Sequence, residues 1–455
     1  MARIAIIGGG ISGLSLAYFL LEKDPDLDIT VLESEQRPGG KIWTEKTGGF
    51  LCEGGVNGFL DNKPRTLELS LKVSLQPLRS NDASRKRFIF SGGRLHRLPE
   101  SPPAFLASGL MSLYGKLRLM AELVIPGNAR EEETLAAFAR RRLGKDAYEK
   151  LIDPMASGIY AGNPETLSLR ACFPKVYDLE VRYGGLIRGM ISLQREKKKK
   201  GSSEKVGAGP GGTLTSFHNG MGELVNAIRG FLGERLRLGA KVTGIDRKGR
   251  GYSLFFADSS SMDADIVVSA SPAYVLSEMI RDMDKPLSNL VAEIPYPALS
   301  VVCLGYRKEK IASPVDAFGF LIPSTEKRKI LGTLYDSSIF PNRAPEGHVL
   351  LRSMVGGARA SELARENDTK LVELVKGELA AVMDIRSDPD FVRVYRHEMA
   401  IPQYTVGHLE RLRNIDILLQ KYKGLHLTGN AYRGIGVNDC IENSSRLAEK
   451  IIEES

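Results

Sequence analysis

The chain has 455 residues, 42% hydrophobic and 26% charged, with a formal net charge of +8. That length predicts two or three domains around sizeable cores, and the composition is that of an ordinary globular protein. No apolar run is long enough to span a bilayer, no secretory signal precedes the first strand, and four scattered cysteines (Cys52, Cys172, Cys303, Cys440) without C-x-x-C spacing argue against a disulfide framework or a zinc site and fit a reducing cytoplasm.

Residues 3–7, RIAII, read as a buried parallel strand, and GGGISG follows at 8–13. The next stretch carries Leu14, Ala17, Tyr18 and Leu21 at a helical period. DITVLES predicts a second strand ending on Glu33. Strand, glycine turn, helix, strand and acid together form a dinucleotide fingerprint. In it Gly8 makes the tight turn, Gly10 lets the backbone approach a pyrophosphate, and Gly13 lets helix pack on strand. Gly9, Ile11 and Ser12 complete the turn, and the helix N-terminus suits an anionic phosphate. Glu33 stands where a ribose hydroxyl acceptor belongs, which argues against NADP. Arg37, Gly39 and Gly40, in SEQRPGGKIWT, then resemble the second signature of flavoproteins of the monoamine oxidase, phytoene desaturase and protoporphyrinogen oxidase superfamily. An arginine and two glycines placed there suit a second close approach to a diphosphate and favour FAD over NAD. CEGGVNGFL, 52–60, has three glycines in five residues, another place where the backbone must come close to something.

Residues 41–95 predict mixed strand and helix, and the pattern from about 96 to 200 is helical. LASGLMSLYGKLRLMAELVIP, 106–126, interleaves Lys116, Arg118 and Glu122 with Leu, Met and Tyr. Such a stripe either packs on a partner helix or faces lipid. EEETLAAF begins with acids suited to a helix N-terminus. The run REKKKKGSSEK, 195–205, reads as a solvated loop; it lacks the aromatics of a nucleic-acid site, so no nucleic-acid partner is expected. Segment 197–213 reads as a polar, glycine-rich linker, and FHNGMGELVNAIRGFL as a glycine turn before a helix. Residues 236–272 read as strand, hairpin and a buried strand at Ile266–Ser269; 296–355 are strand-rich and 359–384 helical. The chain closes on a strand (GLHLTG), a glycine-rich turn (NAYRGIGVND) and a helix with Ile441, Ala448, Ile451 and Ile452 at its apolar positions. The six histidines show no ligand spacing, so no metal is expected.

The fold class expected is α/β. A discontinuous Rossmann-like FAD-binding domain would comprise 1–60, 211–272 and 400–455. A mixed-sheet substrate domain would comprise 61–95 and 273–399, and a helical insert 96–210. FARRRLG (138–144), SGIYAGNPETLSLRACFP (157–174), IPQYTVGH (401–408) and GNAYRGIGVNDCIEN (429–443) resemble protoporphyrinogen oxidase of the oxygen-dependent FAD type, whose bacterial branch includes coproporphyrinogen III oxidases. The likeness runs nearly end to end. It implies a peripheral, membrane-binding role for the helical insert and a cytoplasmic enzyme of heme biosynthesis. It also implies oxidation of a porphyrinogen to a porphyrin: hydride passes from a methylene bridge to the flavin, and oxygen restores the flavin with release of hydrogen peroxide. The cofactor carries such chemistry, so the protein needs shape and electrostatics more than a nucleophile. An amine oxidase or desaturase on the same scaffold, and a flavin-bearing but non-catalytic binding protein, are the alternatives. A homodimer is left open.

By the same resemblance, FAD touches Gly8–Gly13, Glu33, Arg37, Gly40, Lys41 and the loop Gly55, Val56, Asn57 and Gly58. Val242 matches a backbone contact to the adenine, and Ile435, Gly436 and Val437 the flavin's pyrimidine end, where a helix N-terminus favours negative charge. The flat substrate would be sandwiched by Leu321, Leu334 and Met354, with Gly162 and Gly319 letting it lie close to the flavin. Asn57 stands where several eukaryotic relatives carry an Arg that pairs with a propionate. An amide supplies no charge, and Lys63 or Arg65 is the expected substitute. His408 follows a resembling motif and is the one histidine with a candidate role.

Overall fold

A computed structural model of the protein describes residues 2–199 and 211–454. The linker expected at 197–213 lies largely outside these residues. The basic run begins differently from expectation: residues 195–199 finish the helix Leu186–Lys199 rather than forming a loop.

A five-stranded parallel sheet lies under the N-terminal fingerprint. Its order is 236–237, 28–32, 3–7, 266–269, 425–427, with Ile4 beside both Ile29 and Ile266, and Val267 beside Leu425. Strand Arg3–Ile7 is almost wholly apolar, as a strand covered on both faces must be. One face receives helices Ile11–Lys23, Gly222–Leu232 and Val437–Glu454 through Leu14, Leu20, Leu224, Ile228, Ile441 and Ile451. Ser444 Oγ donates to Ser12 O at 2.8 Å, tying the last helix to the first. The other face carries the antiparallel strands 242–264 and helices Ala273–Met279 and Lys285–Ala292. The expected division gave those two helices to the substrate domain. They pack here because Ala273, Leu276, Leu287 and Val291 bury against Ile7, Leu32 and Val267.

The second sheet has seven strands in the order 391–397, 299–307, 348–356, 330–335, 319–321, 87–91, 94–97. It is mixed: Gly319–Leu321 runs parallel to Arg87–Ser91, and all other neighbours are antiparallel. Period-two alternation sorts its side chains. Val302, Phe320 and Leu351 face helix Asp368–Met383. Leu321, Leu334, Arg352 and Met354 share the opposite face by register.

Residues 102–199 form a helical body. Its centre is charged. Arg142 is 0% exposed and pairs with Glu122, while its Nη1 donates to Ile125 O and Pro126 O. Glu122 also accepts the Leu186 and Ile187 N–H groups and so caps the helix Leu186–Lys199. The polar residues of the 106–126 stretch therefore point inward. Lys116 donates to Leu106 O and Ser108 O, and Arg118 to Arg141 O and Arg142 O. Its apolar residues divide: Leu110 and Met111 are buried with Leu143 and Ala147, and Leu119 packs beside them, whereas Leu113 is 75%, Tyr114 78% and Val124 70% exposed. One side of the stripe thus packs on neighbouring helices through Leu119, while Leu113, Tyr114, Leu117 and Met120 face outward. No helix among the described residues is long and apolar enough to cross a membrane.

Candidate active site

The site starts at the end of strand Arg3–Ile7. Gly8 takes φ +107°, which a side chain resists, and a Cβ there would lie 3.0 Å from the Ala270 carbonyl carbon. Gly13 packs the first helix on this turn so closely that a Cβ would sit 2.0 Å from Gly8 O. Gly10 differs: a Cβ there would meet no protein atom within 4 Å. No side chain caps the helix beginning at Ile11, so its positive end opens onto that space.

Further groups gather around it. Glu33 is buried, accepts the Gly9 N–H at 2.8 Å through Oε2, and accepts the Ser34 hydroxyl and the Glu35 N–H through Oε1. Gly39 N–H donates to Gly9 O at 2.7 Å, and the Cβ position of Gly40 lies 3.4 Å from Gly10 Cα, so the second glycine pair roofs the first turn. Arg37 braces this roof from within: its guanidinium donates to the carbonyls of Pro38, Gly40 and Ile42 and stacks on Trp43. Lys41 Nζ donates to Met399 O at 2.7 Å, and burial lowers its pKa.

The loop after strand Phe50–Glu53 comes next. Its glycines are explained by protein neighbours: a Cβ on Gly54 would lie 2.7 Å from the Tyr395 ring, on Gly55 2.2 Å from Lys41 O, and on Gly58 2.5 Å from Thr215 O. Asn57, between them, has both amide polar atoms buried without a protein partner. A buried, unsatisfied amide costs about 1–3 kcal/mol unless something else bonds it. Thr428 Oγ1, at the end of the strand Leu425–Leu427 of the parallel sheet, is likewise buried and unpartnered. An open glycine cradle at an uncapped helix end, a buried acid beside it and two orphaned polar groups fit a flavin dinucleotide.

Of the remaining expected residues, Val242 is buried against Leu32 near the Glu33 segment, where Ala240 N–H donates to Glu33 O. Ile435, Gly436 and Val437 form the turn into the last helix, with Gly436 N–H donating to Asp439 Oδ2 at 3.2 Å. Leu321, Leu334 and Met354 are half-buried. Gly319 sits across the sheet from Leu334, but a Cβ there would strike Thr333 O at 2.1 Å. Gly162 is buried, and a Cβ there would meet Gln403 Oε1 at 2.7 Å. Protein packing alone is enough to require glycine at both positions. The cations expected at Lys63 and Arg65 are already engaged: Lys63 pairs with Asp439, and Arg65 with Glu68 and Glu442. His408 is buried and stacked on Tyr404 at 4.1 Å, and burial pushes its pKa down to about 4, so it is neutral and carries no charge to a carboxylate.

A buried charge network under the Asn57 loop was missed from the sequence. Arg352, Asp336, Arg343 and Glu53 are all at most 3% exposed. Burial raises the carboxyl of Asp336 and pushes that of Glu53 up to about 7, although Thr44 and the Met221 N–H bond the latter. The sequence signal was faint: Arg352 is a lone charge in the apolar-rich run LLRSMVG, which reads only as strand.

The model of the flavin containing amine oxidoreductase family matches residues 11–452. The chloroplastic protoporphyrinogen oxidase of Oryza sativa subsp. japonica is 35% identical over 99% of this chain and 88% of its own length. The coproporphyrinogen III oxidase of Bacillus subtilis is 31% identical over 97% of this chain and 96% of its own. A crystal structure from Exiguobacterium sp. 255-15 has a TM-score of 0.86 at 28% identity, covering 100% of this chain and 99% of that one. The fold alone extends to reduced UDP-galactopyranose mutase, with TM-score 0.77 at 17% identity over 100% of this chain and 94% of that one. The chain is an FAD flavoprotein and oxidoreductase that belongs to the flavin containing amine oxidoreductases, in the group of the protoporphyrinogen and coproporphyrinogen III oxidases.

Proposed function

We propose that the protein oxidises protoporphyrinogen IX to protoporphyrin IX in heme biosynthesis, with oxygen as acceptor and hydrogen peroxide as second product. The observation that carries this reading is an apolar wall, Leu321, Leu334 and Met354, on one sheet face, whose Arg352 is bonded to the loop holding the unpartnered Asn57 amide. A flat, apolar ring with polar rim groups matches that pairing of wall and amide. Bound FAD supplies the hydride acceptor. The chain's own residues do the rest: Gly10 and Gly40 frame the diphosphate, Glu33 the ribose, the loop 55–58 and the turn 435–437 the ring, and the wall holds the substrate's apolar centre.

Coproporphyrinogen III is the competing substrate. In its favour, the Bacillus subtilis oxidase and this chain match over nearly the whole of both lengths. Against it, its extra carboxylates need cations, and Lys63 and Arg65 are paired within the protein. The exposed apolar face at Leu113, Tyr114, Leu117 and Met120 would rest on a membrane surface from the cytoplasmic side. The FAD-loaded protein incubated aerobically with each porphyrinogen decides the matter. Porphyrin fluorescence with about three peroxides per ring is expected, faster from protoporphyrinogen IX. Oxidation of neither substrate refutes the reading, and turnover of amines or carotenes instead would move it to those relatives.

A further inference from the structure

We propose that Arg352 is a positioning residue that ties the Asn57 loop to the substrate sheet as well as to the cofactor-binding segments that Gly54 and Phe59 already bond. Arg352 lies on strand His348–Gly356, in register with Leu334 and Cys303, and shares a face with Met354 two residues on. Its Nη1 donates to Gly55 O at 2.9 Å and to Glu53 O at 3.3 Å. Between those two carbonyls, Gly54 O is bonded by His397 Nε2 at 2.7 Å, from the strand Phe391–His397 of the same sheet. Three consecutive loop carbonyls are thus held by two side chains of one sheet. The next residue but one is Asn57, whose amide has no protein partner. An unsatisfied amide keeps its aim only if the backbone beneath it is fixed.

Stability alone does not account for this arginine. Its partner Asp336, at 2.8 Å from Nε, is sealed from solvent, and a buried ion pair of this kind is often no better for stability than an apolar pair of the same volume. What an apolar pair does not provide is the grip on Glu53 O and Gly55 O. Through it, a shift of the wall that carries Leu334 and Met354 moves Asn57 with it, so the ring's flat face and its polar rim are located by one rigid body. This rests on the reading in which the loop meets flavin and substrate.

The test uses the full FAD-loaded chain, Arg352→Lys, and the double variant Arg352→Met with Asp336→Leu, which removes the pair whole. Arg352→Lys keeps a charge beside Asp336 and a flexible donor, but has no group at Nη1, the one atom that makes both carbonyl contacts. The measurements are the visible circular dichroism of the bound flavin, the thermal midpoint, and KM and kcat with protoporphyrinogen IX. A merely structural arginine predicts wild-type dichroism and KM in every variant that folds. The positioning role predicts a changed flavin dichroism in both, with KM raised about tenfold in the double variant, about threefold in Arg352→Lys, and kcat lowered less. Wild-type dichroism and KM in either folded variant overturn the proposal. If the wild-type protein oxidises no porphyrinogen, the functional reading falls, while the flavin dichroism still decides the role of Arg352.

Discussion

Gly10 and Gly13 are three residues apart in one turn, and the structure assigns them opposite consequences on substitution. A Cβ on Gly13 would lie 2.0 Å from Gly8 O, well inside contact distance, so Gly13→Ala must push the first helix off the strand. Overpacking of that kind costs about 1–3 kcal/mol or more, in the apoprotein as well as the loaded one. A Cβ on Gly10 would meet no protein atom within 4 Å, and its φ of −72° suits alanine. Gly10→Ala should leave the apoprotein unchanged or more stable by about 0.4–1 kcal/mol, because it removes freedom from the unfolded chain. The same methyl intrudes on the proposed diphosphate seat. An overpacking cost of about 1–3 kcal/mol there weakens FAD binding about 5- to 150-fold. The assay is paired: thermal midpoint of the apoprotein, and FAD titration by flavin fluorescence. Gly10→Ala should lower affinity without lowering the apoprotein midpoint, and Gly13→Ala should lower the midpoint itself. Wild-type FAD affinity in Gly10→Ala would refute the placement of the diphosphate over this turn.

Asn57→Arg supplies the cation that Lys63 and Arg65 do not; steady-state kinetics should show KM for a propionate-bearing porphyrinogen lower by about 1–2 kcal/mol, five- to thirtyfold, with kcat little changed. Arg142→Met leaves the sealed Glu122 carboxylate without its cation, and urea unfolding should show a loss of about 3–5 kcal/mol. Hydrogen exchange in the same variant should rise first at the start of the helix Leu186–Lys199, which Glu122 caps. Glu53 gives a pH signature. Burial raises its folded pKa from the ordinary 4.5 to about 7, so the folded state holds a proton that the unfolded state has released between those values. Stability therefore falls as pH rises from about 4.5 to 7, by up to about 3 kcal/mol, and is level above. Glu53→Gln should abolish that slope in denaturation curves recorded from pH 5 to 8.

The sequence made the βαβ unit readable because its signals are local. A glycine turn, a helical period and an acid fall within the first 33 residues, and the strand at Ile266–Ser269 appears where four apolar-rich residues follow a hairpin. What failed to show depends on distant partners. Gly319–Leu321 pairs with Arg87–Ser91 across more than two hundred residues, and no local pattern encodes that register. Gly55 and Gly58 announce a close approach, but only the fold says that the close neighbours are Lys41 O and Thr215 O. Lys63 and Arg65 look like free surface cations until the last helix brings Asp439 and Glu442 to them. Arg352 is a lone charge in an apolar-rich strand, and what it bonds, the loop carbonyls and Asp336, lies far off or out of pattern in the sequence.

The inverted helix Leu113–Met120 carries a consequence for how the protein tolerates change. In an ordinary surface helix the apolar side chains are constrained by packing and the polar ones drift. Here Lys116 and Arg118 hold backbone carbonyls, and Glu122 just beyond holds a buried guanidinium and a helix start. Leu113, Tyr114, Leu117 and Met120 touch little of the protein. The roles of the two residue classes are exchanged: variation in size and shape should accumulate at the apolar positions, limited only by greasiness, while the charged positions stay fixed. A substitution survey scored for folding alone would see the exposed leucines as neutral and the lysine as essential, the reverse of what helical periodicity teaches a reader to expect.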